Sequence, residues 1–409
     1  MSAFPKLTDL GWRRRLRSRI LGWYDRHGRQ LPWRASSDPY RIWISEIMLQ
    51  QTTVAAVLPY FERFLSQFPD VQTLAAAEQS DVLRAWEGLG YYSRARNLHK
   101  AAQTIVNDCD GRFPESAEQL QQLPGIGPYT AGAIASFAFQ QPAAILEANT
   151  LRLFSRLIAL EIDPRGTEGQ KTLWKFAGWA VSRKRPADFN QAVMDIGSQI
   201  CRPVDPECNT CPLLASCKAR ENNRQNDIPV AAQKVVMTDL IEVAVAVRRS
   251  GRYLLRQRTE AERWAGLWDF PRFEITEAEA EALPRIQKQR SGTARHSGQR
   301  SLFDMETDDS PEPTAWPLSL QDRFRDITGL NPVDAAPVQE IRHTVTRYRI
   351  RLLCFQATAD SGRILAGSGF QWFRADDLHD LPLSKTGRQL AETLLTQQAS
   401  RKPSKRSRP

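Results

Sequence analysis

Four cysteines, Cys201, Cys208, Cys211 and Cys217, fall within seventeen residues in the pattern C-x6-C-x2-C-x5-C. Thiolates gathered this tightly hold a metal centre. Four soft sulfur donors can close around a tetrahedral zinc ion or give one ligand to each iron of a [4Fe–4S] cluster. The spacing alone leaves both open. The other two cysteines, Cys109 and Cys354, stand apart and read as small buried side chains. A second candidate is a carboxylate. Glu46 is the only ionisable residue between Ile42 and Thr53, in a stretch that is otherwise mainly apolar. Burial disfavours the charged carboxylate, so Glu46 is expected to keep its proton to higher pH than an exposed glutamate and to be able to act as a general acid. On a solvent-facing helix the same residue would be an ordinary surface charge.

The segment Leu123-Pro-Gly-Ile-Gly-Pro-Tyr-Thr-Ala-Gly-Ala-Ile supplies a third kind of chemistry. Gly125 and Gly127 let backbone approach a phosphate closely, and the amides opening the following helix face the anion. Such contacts position a duplex without reading its sequence. The net charge of +10 fits a polyanionic partner, although five basic residues sit in the last nine (Arg401, Lys402, Lys405, Arg406 and Arg408).

The elements that must carry these groups divide the chain. Residues 1–220 show apolar residues at helical spacing, as in Leu58, Phe61, Phe64, Leu65 and Phe68, and predict an all-α domain. Asp38-Pro39 reads as an N-cap with proline in the first turn of the helix that holds Glu46. Residues 221–235 are polar and read as a linker. The period then changes: Leu240 to Val247 is rich in valine, and a Ser250-Gly251 turn leads to Tyr253-Leu-Leu, which predicts a β-hairpin opening an α+β domain over 236–397. Residues 276–316 are expected to form a disordered insertion, and 398–409 a basic disordered tail. No run of about eighteen apolar residues predicts a membrane span. The arginine-rich N-terminus does not read as a secretory signal, so a cytoplasmic, nucleoid-associated monomer is expected.

The cysteine spacing, directly after a helix-hairpin-helix segment, resembles the endonuclease III superfamily of DNA glycosylases, which implies a [4Fe–4S] cluster on Cys201, Cys208, Cys211 and Cys217. Trp43-Ile-Ser-Glu-Ile-Met-Leu-Gln-Gln-Thr resembles the signature helix of MutY-type adenine DNA glycosylases. That resemblance implies that Glu46 protonates adenine N7 and that Gln51 wedges into the duplex. Leu31-Pro-Trp-Arg resembles the family's pocket segment, implying that Trp33 and Arg34 line the adenine site. Gly88-Leu-Gly-Tyr-Tyr-Ser-Arg-Ala-Arg-Asn-Leu resembles the segment whose first tyrosine, here Tyr91, packs into DNA. Bifunctional relatives carry a nucleophilic lysine where this chain has Tyr129. A phenol cannot form a Schiff base, so base excision without strand cleavage is expected. Tyr129 is instead expected to donate a hydrogen bond near the carboxylate that stabilises the sugar. The substrate implied is double-stranded DNA with adenine opposite 8-oxoguanine or guanine.

Three departures from the family pattern stand out. Asp-Gly-Asn-Val is replaced by Glu147-Ala148-Asn149-Thr150. Glu147 keeps the sugar-stabilising charge on a side chain longer by about 1.5 Å, and Asn149 is kept. The C-terminal domain resembles the NUDIX-like lesion-recognition domain, through Gly266-Leu-Trp-Asp-Phe-Pro and Arg342-His-Thr, but Leu320-Gln-Asp-Arg-Phe-Arg-Asp-Ile-Thr-Gly lacks the hydrolase glutamates. Recognition without nucleotide hydrolysis follows. Where the family has Phe-Ser-His to probe 8-oxoguanine, this chain has Val345, Thr346 and Arg347, which puts a fixed cation in place of an imidazole. His343 reads as structural. Gln299-Arg-Ser-Leu302-Phe303 resembles a clamp-binding peptide, implying a sliding clamp as partner. The rival readings are a glycosylase/lyase for oxidised pyrimidines and a divergent DNA-binding member with reduced activity.

Overall fold

The computed structural model describes residues 9–230, 236–284 and 316–401. The chain divides into two compact units, Met1–Lys234 and Val235–Pro409. Gln299, Leu302 and Phe303 of the expected clamp peptide lie outside the described residues, as does the basic tail beyond residue 401.

The described part of the first unit is helical throughout. Helix α1 (Leu10–His27) starts at Asp9, whose side chain accepts from the Trp12 amide, and buries Leu16, Ile20 and Trp23. Helix α2 (Pro39–Leu49) starts where the sequence places it. The Asp38 side chain accepts from the Tyr40 amide, and Pro39 spends no amide that a helix needs. Eight of the nine residues from Tyr40 to Met48 are buried, all but Arg41, with Trp43 and Ile44 fully enclosed. Each such large apolar side chain contributes about 1.5–3 kcal/mol on burial, which makes α2 a rigid central post for Glu46. The helices α3 (Ser93–Asp108) and α4 (Pro128–Phe139) pack on it, and α5 (Ala148–Ile158), α6 (Thr167–Ala180) and α7 (Pro186–Asp195) follow along the chain. Arg17 on α1 donates to the carbonyls of Trp179, Ala180 and Val181 at the end of α6, satisfying oxygens that a helix leaves unpaired there. Helix α7 runs on into a wider π turn over Ile196–Ile200 that delivers Cys201. Gly197 in that turn is sterically required: a Cβ there would lie 2.9 Å from the Cβ of Asn149.

The second unit is built on a seven-stranded mixed sheet: β1 (Thr238–Arg249), β2 (Arg252–Gln257), β3 (Trp268–Asp269), β4 (Arg272–Ile275), β5 (Leu330–Val345), β6 (Tyr348–Gly362) and β7 (Phe370–Arg374). The order is β3-β2-β1-β6-β5, with β4 on β1 and β7 on β2. Only β1 and β6 pair in parallel; the other pairs are antiparallel. Alternation along β1 explains the two helical layers. Val243, Val245 and Val247 face a core shared with Leu320 and Phe324 of α9 (Leu318–Thr328). Ala244 and Ala246 face the opposite core, with Leu390 and Leu394 of α10 (Lys385–Arg401). Small residues on one face and branched ones on the other make β1 a buried central strand, and the hairpin expected at Ser250-Gly251 joins it to β2 with both turn residues at positive φ. Cys354 is fully buried in the α10 layer.

Two expectations need correction. Residues 276–316 do not read as disordered at their described ends. Thr276 and Glu279 form a reciprocal capping box that starts α8 (Glu277–Glu281), and Trp316 is buried against Phe355. Residues 221–235 are not a plain linker either, since Ile228 is fully buried against Ala159 and Ala219 of the helical unit.

Candidate functional site

The centre of the helical unit is a hydrogen-bonded pair. Tyr129, in the first turn of α4, donates its hydroxyl to Glu46 Oε2 at 2.6 Å. Glu46 is 3 % exposed. Burial pushes its carboxyl up to about 7, against the pull of the Tyr129 hydroxyl and the Arg34 cation, with Glu147 adding to the rise. A group poised near neutrality can carry a proton and release it. Tyr129 stands near enough to Glu147 for that charge to help raise the pKa of its hydroxyl, but does not bond it. Its bond goes to Glu46, because the start of α4 packs on the face of α2 that presents Glu46.

Glu46 lines a pocket whose walls include Leu31, Trp33, Arg34, Ser45 and Gln191. Trp33 is buried, edge-on to Phe61. Arg34 lines the pocket, but its fork is spent on Asp195, with nitrogen–oxygen distances of 2.7 and 3.0 Å. Arg29 adds a third bond to the same carboxylate at 2.6 Å. Asp195 is fully buried, and although burial alone would raise it, the arginines hold it below the usual carboxylate range. Gln191, which lines the pocket, and Asp195, one helical turn further along α7 and bonded to the lining Arg34 and Arg29, are residues that sequence reasoning missed. Tyr24 donates to Gln191 Oε1, tying α1 to the same wall. Asp195→Asn is expected to destabilise the fold by roughly 3–5 kcal/mol, since the largely buried Arg34 and the partly exposed Arg29 both lose the charge of their shared, fully buried partner. Urea unfolding checks this, and an unchanged midpoint would refute it.

Glu147 is the N-cap of α5. Its Oε1 accepts from the Thr150 amide and its Oε2 from the Asn149 amide, both at 2.8 Å, while Thr150 Oγ1 accepts from the Glu147 amide in return. The extra methylene is therefore curled back onto the helix start, where the partial positive charge of the free amides favours a carboxylate. Burial nonetheless raises its pKa, opposed by those amides and by Arg152. Asn149 Nδ2 also donates to Glu147 at 3.1 Å and passes its Oδ1 to Arg152, which bonds the Cys201 carbonyl at 2.7 Å. The carboxylate is thus stitched to the cysteine loop.

Cys201, Cys208, Cys211 and Cys217 all line one concavity together with Leu153, Leu157 and other residues. Among the described residues, no three His, Cys, Asp or Glu side chains converge closely enough for a single ion. Thiols around a volume suit a multi-iron cluster, which takes one thiolate at each corner. Donors already face the sulfurs: Arg156 Nη1 lies 3.3 Å from Cys201 Sγ, and the Leu213 amide 3.4 Å from Cys211 Sγ. The residues present fit a [4Fe–4S] group.

The helix-hairpin-helix turn has the shape its glycines require. Gly125 sits at φ +73°, and a Cβ there would lie 2.6 Å from Asn97 Cβ. Gly127 caps α4 with no side-chain bond, and a Cβ there would meet nothing within 4 Å, so the ground before the free amides is open. Gln51 and Tyr91 project from turns at φ +56° and +48°, and Tyr91 is 49 % exposed while Tyr92 is buried. In the second unit, Thr346 and Arg347 form the exposed two-residue turn between β5 and β6. Thr346 is at φ +52°, and Arg347 stacks on Tyr348 while bonding its hydroxyl at 3.0 Å. His343 lies within β5 beside Trp264.

These features define a helix-hairpin-helix protein of the base-excision type joined to a NUDIX-like unit, and comparison with known proteins agrees. Residues 44–178 match the HhH-GPD superfamily of base excision DNA repair proteins, and residues 242–393 match the NUDIX domain. The adenine DNA glycosylase of Mus musculus is 39% identical over 284 residues, covering 66% of this chain and 54% of that protein. That of Buchnera aphidicola from Acyrthosiphon pisum is 37% identical over 259 residues, covering 63% and 74%. The solved structure of a thermostable thymine-DNA glycosylase is 29% identical, with a TM-score of 0.48, covering 52% of this chain and 98% of that one. The chain belongs to the adenine DNA glycosylase family. It spans about half the length of the mammalian relatives it matches.

Proposed function

We propose that this chain is a monofunctional adenine DNA glycosylase that hydrolyses the N-glycosidic bond of adenine opposite 8-oxoguanine or guanine. The observation that carries the reading is the buried Glu46–Tyr129 pair, with Glu46 lining a pocket beside Trp33 and Arg34. Adenine flipped out of the duplex enters between Trp33 and Glu46. Protonated Glu46 gives its proton to N7, which makes the neutral base a leaving group as the C1′–N9 bond breaks. Glu147, at the head of α5, offsets the cationic charge left on the sugar, with Asn149 fixing its orientation. Water then adds at C1′, its proton returning to Glu46. Tyr129 offers no amine, so no Schiff base forms and the strand stays intact. Gly125 and Gly127 meet a backbone phosphate, and Gln51 and Tyr91 fill the duplex. Cys201, Cys208, Cys211 and Cys217 would hold a [4Fe–4S] cluster, which would fasten the loop that Arg152 ties to Asn149.

Thr346 and Arg347 meet the base opposite the adenine. An arginine fork donates to O6 and N7 of guanine, whereas 8-oxoguanine carries a proton on N7 and leaves one donor unmatched. Single-turnover release of adenine is therefore expected from both mispairs, with rates within about tenfold of each other, a contact of that kind carrying roughly 1–3 kcal/mol. Arg347→His is expected to shift the ratio toward 8-oxoguanine. No free adenine from either duplex, or cleavage of thymine glycol instead, refutes the reading. We place the protein with chromosomal DNA in the cytoplasm. Among the described residues no helix is long and apolar enough to cross a membrane. Gln299, Leu302 and Phe303 supply the anchors for a sliding clamp.

A further inference from the structure

Arg94, at the start of α3, is half-buried and has no carboxylate partner among the described residues. Its two terminal nitrogens bond backbone carbonyls instead, while Nε has no partner. Nη1 lies 2.7, 3.0 and 2.6 Å from the carbonyls of Ile47, Met48 and Gln50, and Nη2 lies 3.1 and 3.2 Å from those of Leu89 and Gly90. The first three oxygens belong to the end of α2 and the turn that carries Gln51. The last two belong to the turn that carries Tyr91. The same guanidinium lies 5.6 Å from the Tyr91 ring and 5.4 Å from that of Trp86, whose Nε1 also bonds the Gly90 carbonyl. Burial pulls Arg94 down to about 10, which leaves it charged at neutral pH.

The two turns share an uncommon backbone. Gln51 and Tyr91 both hold a left-handed φ that side-chain-bearing residues rarely adopt, and such strain persists only where the surroundings over-determine it. The two terminal nitrogens of one planar guanidinium fasten both, Nη1 on one turn and Nη2 on the other. We propose that Arg94 is a positioning residue that locks these turns into a single rigid wedge, so that Gln51 and Tyr91 enter a duplex together and not as independent contacts. This rests on reading the chain as a DNA glycosylase.

The test is a double-mutant cycle on affinity for a duplex bearing a tetrahydrofuran abasic analogue opposite guanine, which cannot be cleaved. Tyr91→Ala is expected to weaken binding about tenfold. Gln51→Ala is expected to weaken native protein about fivefold but to add less than about twofold once Tyr91 is gone. With Arg94→Lys, a point charge that cannot span both turns, the two losses are expected to multiply. Multiplying losses in the native background overturn the proposal, as does undiminished coupling in Arg94→Lys. Should that variant fail to fold, amide hydrogen exchange of the native protein decides. Residues 49–53 and 88–93 are expected to open together with one protection factor, and separate opening overturns the proposal. Coupled binding without adenine release would remove the glycosylase reading and leave the wedge intact, whereas absent duplex binding removes both.

Discussion

Glu46→Gln is expected to slow adenine release by about 10³-fold, the middle of the range for a lost general acid. Glutamine keeps the shape and still accepts from the Tyr129 hydroxyl, so the pocket and its packing remain while the transferable proton is gone. The pH dependence carries the sign. With its carboxyl pushed up to about 7, Glu46 is protonated below neutrality and ionised above it, so the native rate is expected to fall as pH rises through about 7. Stability follows the same linkage. The folded pKa lies above the unfolded one, so folding favours the protonated form. The stability that form contributes is present in full below about 4.5 and is lost as pH rises through about 7. Glu46→Gln is therefore expected to raise the melting temperature more at pH 8 than at pH 5. An equal shift at both would show that Glu46 ionises freely in the fold.

Glu147→Gln carries the second largest expected effect. Removing the charge beside a cationic sugar is expected to cost about 10²–10³-fold in single-turnover rate. Turning an amide N–H₂ toward the helix amides also removes a cap, at a cost of about 1 kcal/mol in stability. Glu147→Asp separates length from charge. The extra methylene is absorbed by curling onto the Asn149 and Thr150 amides, and aspartate caps helices equally well, so this variant is expected to stay within about tenfold of the native rate. A loss in Glu147→Asp as large as in Glu147→Gln would mean that the longer side chain, and not its charge, carries the function.

How much of this was legible in the residues depended on whether the signal was local. Asp38-Pro39 and the apolar run around Glu46 name their own helix, and one ionisable side chain in such a run announces its burial. The alternation of valine and alanine from Val243 to Val247 similarly foretells a strand buried on both faces. The capping of Glu147 was present in Glu-Ala-Asn-Thr, where an acidic residue stands three before a threonine, yet its charge drew attention away from its cap. Thr276 and Glu279 form the same kind of box, but composition over a long polar stretch outweighed a four-residue signal. Asp195 was not legible from its neighbourhood. It acquires meaning only when α7 brings it to Arg34 and Arg29 from far along the chain. The useful trace was Gln191 and Asp195 one turn apart on an otherwise mainly apolar helix. Arg94 hides for the opposite reason: its partners are carbonyls, which every sequence has.

The central claim is that Glu46 is the acid that releases adenine. The most direct measurement is free adenine by mass spectrometry in single turnovers of the native protein and Glu46→Gln, across pH 5 to about 9, on duplexes with adenine opposite guanine. Native release that declines above about pH 7, with an intact strand and almost no release by the variant, is the expected result. Comparable adenine release by Glu46→Gln at every pH would contradict it.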